Sequence, residues 1–99
     1  MLVKSENLVK VMLAVNREVR YAKSFLIDLK NLEPAAYQRV YNFVFIEFAD
    51  KSPLHNLPEL RQLDSDGIFH RFTLDNYLIG IEIRGQIVKF LRVLPMPDV

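Results

Sequence analysis

Cysteine is absent from this 99-residue chain, which removes disulfides and thiolate metal ligands and leaves stability to packing. A reducing cytoplasm is the default compartment. The two histidines, His55 and His70, lack the H-x-x-x-H spacing of a helical metal pair. Neither a glycine-rich phosphate loop nor a nucleophile elbow is present, so no cofactor and no metal are expected. No apolar run approaches the roughly 20 residues of a membrane span, and no membrane contact is expected. Residues 1–15 are interrupted by Glu6 and Asn7 and lack a small-residue cleavage site, a poor signal peptide. A surplus of one charge is missing too: 13 Lys and Arg stand against 12 Asp and Glu. Any nucleic-acid contact must therefore rest on placement rather than on overall field.

What is there is an ordinary globular composition, 51% hydrophobic and 25% charged, on a chain sized for one domain. Residues 68–94 read as three successive strands rich in Phe, Ile, Val, Leu and Tyr. Asp75-Asn76 and Arg84-Gly85 suit the positive φ angles of short hairpin turns. Ahead of this meander, residues 16–22 alternate loosely as a first strand. Ser24 suits the N-cap of a helix with Phe25, Leu26, Leu29 and Leu32 on one face and Asp28, Lys30 and Asn31 opposite. Pro34 suits the first position of a second helix. Tyr37, Val40, Tyr41, Val44 and Phe48 line one stripe of it, widened by Phe43, Phe45 and Ile46, so that helix should lie buried under a sheet. Glu59-Leu60-Arg61-Gln62-Leu63 is a short strand or extended segment, and Pro95-Met96-Pro97 stops the last strand. The order β-α-α-β-β-β predicts an α+β domain over residues 16–99, two helices on a largely antiparallel sheet of about four strands. Residues 1–15 form an extension, either an added helix or poorly ordered.

Several pieces carry more than fold: Arg20-Tyr21-Ala22-Lys23-Ser24-Phe25-Leu26-Ile27-Asp28-Leu29, Glu59-Leu60-Arg61-Gln62-Leu63, Gly67-Ile68-Phe69-His70-Arg71-Phe72, Asp75-Asn76-Tyr77 and Val88-Lys89-Phe90-Leu91-Arg92-Val93-Leu94. In their order and spacing they resemble the RelE/ParE superfamily, the toxins of bacterial type II toxin–antitoxin systems. The resemblance implies a cytoplasmic toxin and a cognate antitoxin that wraps the domain and covers the concave face of its sheet. A homodimer or a toxin–antitoxin heterotetramer is implied as well. It also implies one of two actions: ribosome-dependent cleavage of mRNA, or a non-catalytic role, blocking DNA gyrase or only binding antitoxin. In the cleaving members a ribose 2′-OH attacks the neighbouring phosphate, which calls for cations and for proton transfer at both ends.

On that resemblance Arg71 is the candidate catalytic residue, and Arg61, Arg71 and Thr73 are the candidate RNA-binding residues. Thr73 stands where ribonuclease members often carry a second Lys or Arg. Leu78 stands at the Arg of the family's "GDYR" turn, and Pro95-Met96-Pro97-Asp98-Val99 replaces the terminal "HRRDxY". His70 is a second candidate catalytic residue, since histidine is a common proton-transfer side chain, but strand parity puts it with Phe72 and Leu74, as a packed, hydrogen-bonded core histidine. Arg71 shares its face with Phe69 and Thr73. His55 reads as a loop residue, Arg92 as the partner of an acid such as Glu47 or Glu82, and the pair Glu82 and Asp98 as unrelated carboxylates. The aromatic stripe Tyr37, Tyr41, Phe45 and Phe48 reads as core rather than as a base-stacking platform.

Overall fold

A computed structural model describes residues 17–48 and 57–97. The extension 1–15, His55 and Asp98 lie outside the described residues. Glu18–Tyr21 forms β1, Lys23–Lys30 α1 and Pro34–Tyr41 α2, which runs on as a π-helix over Asn42–Glu47. Arg61–Gln62 forms β2, Phe69–Leu74 β3, Tyr77–Arg84 β4 and Ile87–Pro95 β5. The five strands make one sheet in the order β1-β5-β4-β3-β2, with β1 parallel to β5 and the other neighbours antiparallel. The α+β class is as expected. A fifth strand joins the sheet because residues 61 and 62 pair in register with His70 and Arg71.

Turn chemistry sets the register of the meander. Asp75 adopts φ +54°, and Gly85 adopts φ +59°, where lack of a Cβ makes glycine the cheap choice. Arg84 pairs with Ile87, so the second turn is Gly85-Gln86 rather than the expected Arg84-Gly85. Alternation then sends Phe72, Leu74, Ile79, Ile81, Val88, Phe90 and Val93 to the helical side, where they bury against Phe25, Leu29, Val40, Val44 and Phe48. Burying one such side chain stabilises the fold by about 1.5–3 kcal/mol.

Val40, Val44 and Phe48 are spaced by four, which in an α-helix rotates each about 40° past the last. The wider π turn, with the Phe48 amide bonded to the Phe43 carbonyl at 2.7 Å, reduces that drift and keeps all three buried. The expected aromatic core is therefore only half core. Phe48 is buried and Phe45 packs on Tyr21 at 4.6 Å, whereas Tyr37 and Tyr41 are each 38% exposed and stack on one another, which leaves their hydroxyls in water.

Three expectations for α1 and its surroundings are corrected. Ala22 occupies the N-cap, and the Ser24 hydroxyl instead donates to the Leu91 carbonyl at 2.6 Å. Leu26 is 45% exposed rather than core. Asp28 faces β5, where its carboxylate accepts from Arg92 Nε at 2.6 Å, Arg92 Nη2 at 3.1 Å and the Val93 amide at 3.1 Å. Arg92 is thus committed to Asp28 and not to Glu47 or Glu82, which pair with Arg39 and Arg84. The reason is a sheet edge. β1 pairs β5 only from Ile87 to Phe90, and a bulge at Leu91 follows, between the pairs Ile81–Phe90 and Gly80–Arg92. Beyond it, side chains of α1 satisfy the main chain that no strand reaches.

Hydrogen bonding to Arg92 is the largest cause holding the Asp28 carboxyl below its ordinary value of 3.8, with Val93 and the nearby charge adding to it against the cost of burial. A carboxyl whose folded pKa is depressed contributes stability above its unfolded pKa and loses it as pH falls through the folded one. Asp28→Ala should therefore lower stability by about 1–3 kcal/mol at neutral pH. Urea unfolding checks this: the gap from wild type should hold above about pH 5 and close as pH falls below 3.8.

Candidate functional site

The side of the sheet away from the helices carries Arg71 and Thr73 from β3, Leu78 and Gly80 from β4, and Arg61 from β2, as the alternate buried residues require. Glu59, Arg61, Arg71, Thr73, Leu78 and Met96 line one shallow groove of about 100 Å³ there. All three residues expected to meet RNA are brought together in it. So are two of the departures noted in the sequence, Leu78 and Met96, which close its other wall.

Arg61 and Arg71 are direct register partners across β2 and β3. Like charges placed opposite one another in a sheet are destabilising, by a few tenths to about 1 kcal/mol. Neither enters an ion pair among the described residues, while Arg20 pairs with Glu18, and Arg84 with Glu82 at 3.2 Å. The groove therefore holds two arginines that make no ion pair among the described residues, suited to an oxyanion, with donors in a planar fork.

Thr73 has a second task. Its amide donates to the Pro58 carbonyl at 3.0 Å, and its hydroxyl approaches the same oxygen at 3.5 Å. That contact fixes the turn ahead of β2, where Glu59 sits at φ +52°. A left-handed backbone at a non-glycine residue costs on the order of 1 kcal/mol. The result is a carboxylate at the groove's rim beside the two guanidinium groups.

His70 lies on the opposite face, as parity requires, partly buried and paired with Gln62 and Ile81. The expected hydrogen bond is not made at Nδ1, which is buried without a partner. The strand pleat separates this imidazole from the Arg71 face, so the structure does not join it to the groove. Arg92 is likewise drawn out of play by Asp28. No cluster of three or more His, Cys, Asp or Glu able to hold a metal occurs among the described residues, and no helix among them is long and apolar enough to cross a membrane.

Sequence reasoning missed Glu59, because a residue that folds into a left-handed turn carries no periodic signal. Leu78 and Met96 were visible as departures, but not as neighbours. Their parity with Thr73 and the carry past Pro95, where the Met96 amide donates to the Asn76 carbonyl at 2.8 Å, were the available clues.

No family model matches the chain. Over 78 residues it is 30% identical to toxin RelE3 of Methanocaldococcus jannaschii, covering 78% of this chain and 88% of that protein. It superposes on a chain of a RelB–RelE antitoxin–toxin complex from Methanococcus jannaschii with a TM-score of 0.63 at 28% identity, over 77% of this chain and 88% of that one. The RelBE2 toxin–antitoxin complex of Mycobacterium tuberculosis shares the fold at a TM-score of 0.65 and 22% identity, over 83% and 93% of the two chains.

The opposed arginines predict a trade between stability and binding. Arg61→Ala and Arg71→Ala should each leave stability unchanged or raise it by up to about 1 kcal/mol. Each should also weaken binding of a single-stranded RNA oligomer and lower the slope of log affinity against log salt by about 0.7. Thermal unfolding and a salt titration check the two halves, and His70→Leu should move neither the affinity nor the slope.

Proposed function

The chain belongs to the RelE toxins, and on that premise we propose that it is the toxin of a type II toxin–antitoxin pair, restrained by a cognate antitoxin, whose groove grips the phosphodiester backbone of RNA on the ribosome. The observation carrying this reading is the pair Arg61 and Arg71, held face to face on an open sheet at a cost that a bound anion would relieve.

The groove supports half of a transesterification. With a phosphate on the two guanidinium groups, Glu59 is the one lining carboxylate that could take the 2′-OH proton. The 2′-oxygen then bonds to phosphorus, the bond from phosphorus to the 5′-oxygen breaks, and that oxygen takes a proton from water. The arginines would offset the charge that gathers on the equatorial oxygens. No lining group serves as an acid for the leaving oxygen, and loss of one positioned acid costs about 10²–10⁴ in rate. Slow, ribosome-dependent mRNA cleavage is the expected activity.

A second reading is favoured by a separate observation. Leu78 and Met96 close the groove with apolar rather than cationic groups, which suits a non-catalytic toxin acting on a protein such as gyrase, or one that only engages its antitoxin.

Induction in a bacterial host separates the two. On the first reading growth arrests and mRNA is cut at positions set by the codon register, with Arg71→Ala and Glu59→Ala both abolishing the cuts. Arrest accompanied by DNA damage and intact mRNA would transfer the assignment to the gyrase-type action, and unimpeded growth would transfer it to an antitoxin-binding protein.

A further inference from the structure

Outside the groove, on the far side of the arginines from Leu78, the sheet carries an apolar pair that a phosphate clamp does not use. The Leu63 amide donates to the Phe69 carbonyl at 2.8 Å, one step beyond the register pairs Arg61–Arg71 and Gln62–His70. Leu63 therefore stands beside Phe69 in the row next to Arg61 and Arg71, about 7 Å away along the strands. Alternation turns both away from the helices, and neither lines the groove. Leu63 is 59% exposed and Phe69 38%. Two large apolar side chains thus lie side by side in water, next to an anion site.

The pair is held in place by its turn. Asp64 Oδ1 accepts from the amides of Ile68 at 3.0 Å and Phe69 at 2.9 Å. Gly67, at φ +73°, closes the turn with its amide on the Asp64 carbonyl at 3.4 Å. A short carboxylate bonded to nearby backbone amides fixes such a turn. Across from Phe69 in β4 stands Glu82, bound to Arg84 at 3.2 Å, and its charge keeps a phosphate out of this row. Anion binding is thus confined to the arginine row, while the neighbouring row offers an aromatic face. One nucleotide has both needs, an anion at one end and a π-face at the other. We infer that Phe69, backed by Leu63, is a stacking platform for an unpaired nucleobase whose own phosphate sits on Arg61 and Arg71. The inference rests on the RNA reading of the groove and adds to it the residue that senses the base. Every base has a π-face, so the platform tolerates sequence, and a purine covers more of it than a pyrimidine. A protein side chain would cover the same pair without using the adjacent cations.

The chain has no tryptophan, so Phe69→Trp puts a single fluorophore on the platform of the full chain. A base stacked on an indole quenches its emission. Oligoadenylate should quench the emission of Phe69→Trp by at least about half, and oligouridylate by less. An abasic ribose–phosphate oligomer of the same length should leave it unchanged. Affinities of the end-labelled oligomers are followed by anisotropy. Phe69→Leu, which keeps the apolar bulk but not the ring, should weaken oligoadenylate by about tenfold, the loss of one stacked base, and the abasic oligomer by less than about twofold. Phe69→Tyr keeps the ring and should bind oligoadenylate as the wild type does. The abasic oligomer also serves as the control for folding, because its binding needs the clamp intact.

Quenching by the abasic oligomer as strong as by oligoadenylate would overturn the platform. Equal affinity of the wild type and Phe69→Leu for oligoadenylate would also overturn it, and would leave the pair to an apolar protein contact. Equal weakening of both oligomers by Phe69→Leu would reduce Phe69 to a support for the clamp and overturn it as well. Arg71→Ala keeps the two proposals apart. If it weakens every oligomer while Phe69→Leu weakens none, the clamp stands and the platform falls. If it leaves oligoadenylate binding unchanged, the RNA reading itself falls.

Discussion

The outer edge of β5 poses a problem that the rest of the fold answers. β1 has four residues and pairs only the first half of that edge, so the Leu91 carbonyl and the Val93 amide face no strand. A buried main-chain group left unpaired costs about 1–3 kcal/mol, and Val93 is 1% exposed. Helix α1 meets the need with two side chains one turn apart, Ser24 on the carbonyl and Asp28 on the amide. The spacing of four residues puts both on one helical face, and the same docking drives Phe25 and Leu29 into the core. Charge then follows from packing. Asp28, with its side chain only 13% exposed, is partly desolvated there, and hydrogen bonding to Arg92 more than offsets that cost.

This arrangement decides which arginines can act. Arg92 is held at the edge of β5, whereas Arg61 and Arg71 stand on the open face, where parity and the pairing of β2 with β3 place them. The pleat that sends Phe72 and Ile79 inward also sends Arg71 and Leu78 outward. The core and the groove are two readings of one alternation, and a one-residue slip would exchange them. Turn residues guard against that slip. Asp75 is left-handed, and through Arg39 at 3.1 Å, itself 3.4 Å from Glu47, its carboxylate ties the β3–β4 turn to α2 and the π-helix.

Strand content, the meander and the facing of Arg71 were legible because β-branched and aromatic runs with period two have few alternative structures. Family resemblance added the grouping of Arg61 with Arg71, which no local pattern contains. What escaped were long-range partnerships. Ser24 looked like a helix cap because capping and edge satisfaction use the same hydroxyl, and only the position of β5 tells them apart. Asp28 looked solvated because its partner lies 64 residues away. The π-helix was hidden because apolar residues spaced by four fit an α-helix nearly as well. His70 was placed on the correct face, but its bonding could not be read from parity.

Near-neutral composition does not imply a neutral groove. Of the arginines described above, Arg20, Arg84, Arg92 and Arg39 each sit against a carboxylate, so their fields are largely cancelled within a few ångströms. What survives at a distance is what pairing leaves over, and screening beyond about 8–10 Å removes much of the remainder. Arg61 and Arg71 are left over as neighbours, against the single groove carboxylate of Glu59. A chain with a formal net charge of +1 can therefore present a concentrated cation at one place. The weak overall field withholds long-range steering, so a ligand for this groove is best met where its local concentration is already high. The proposed action on ribosome-bound RNA meets that condition, because a ribosome would present RNA at high local concentration.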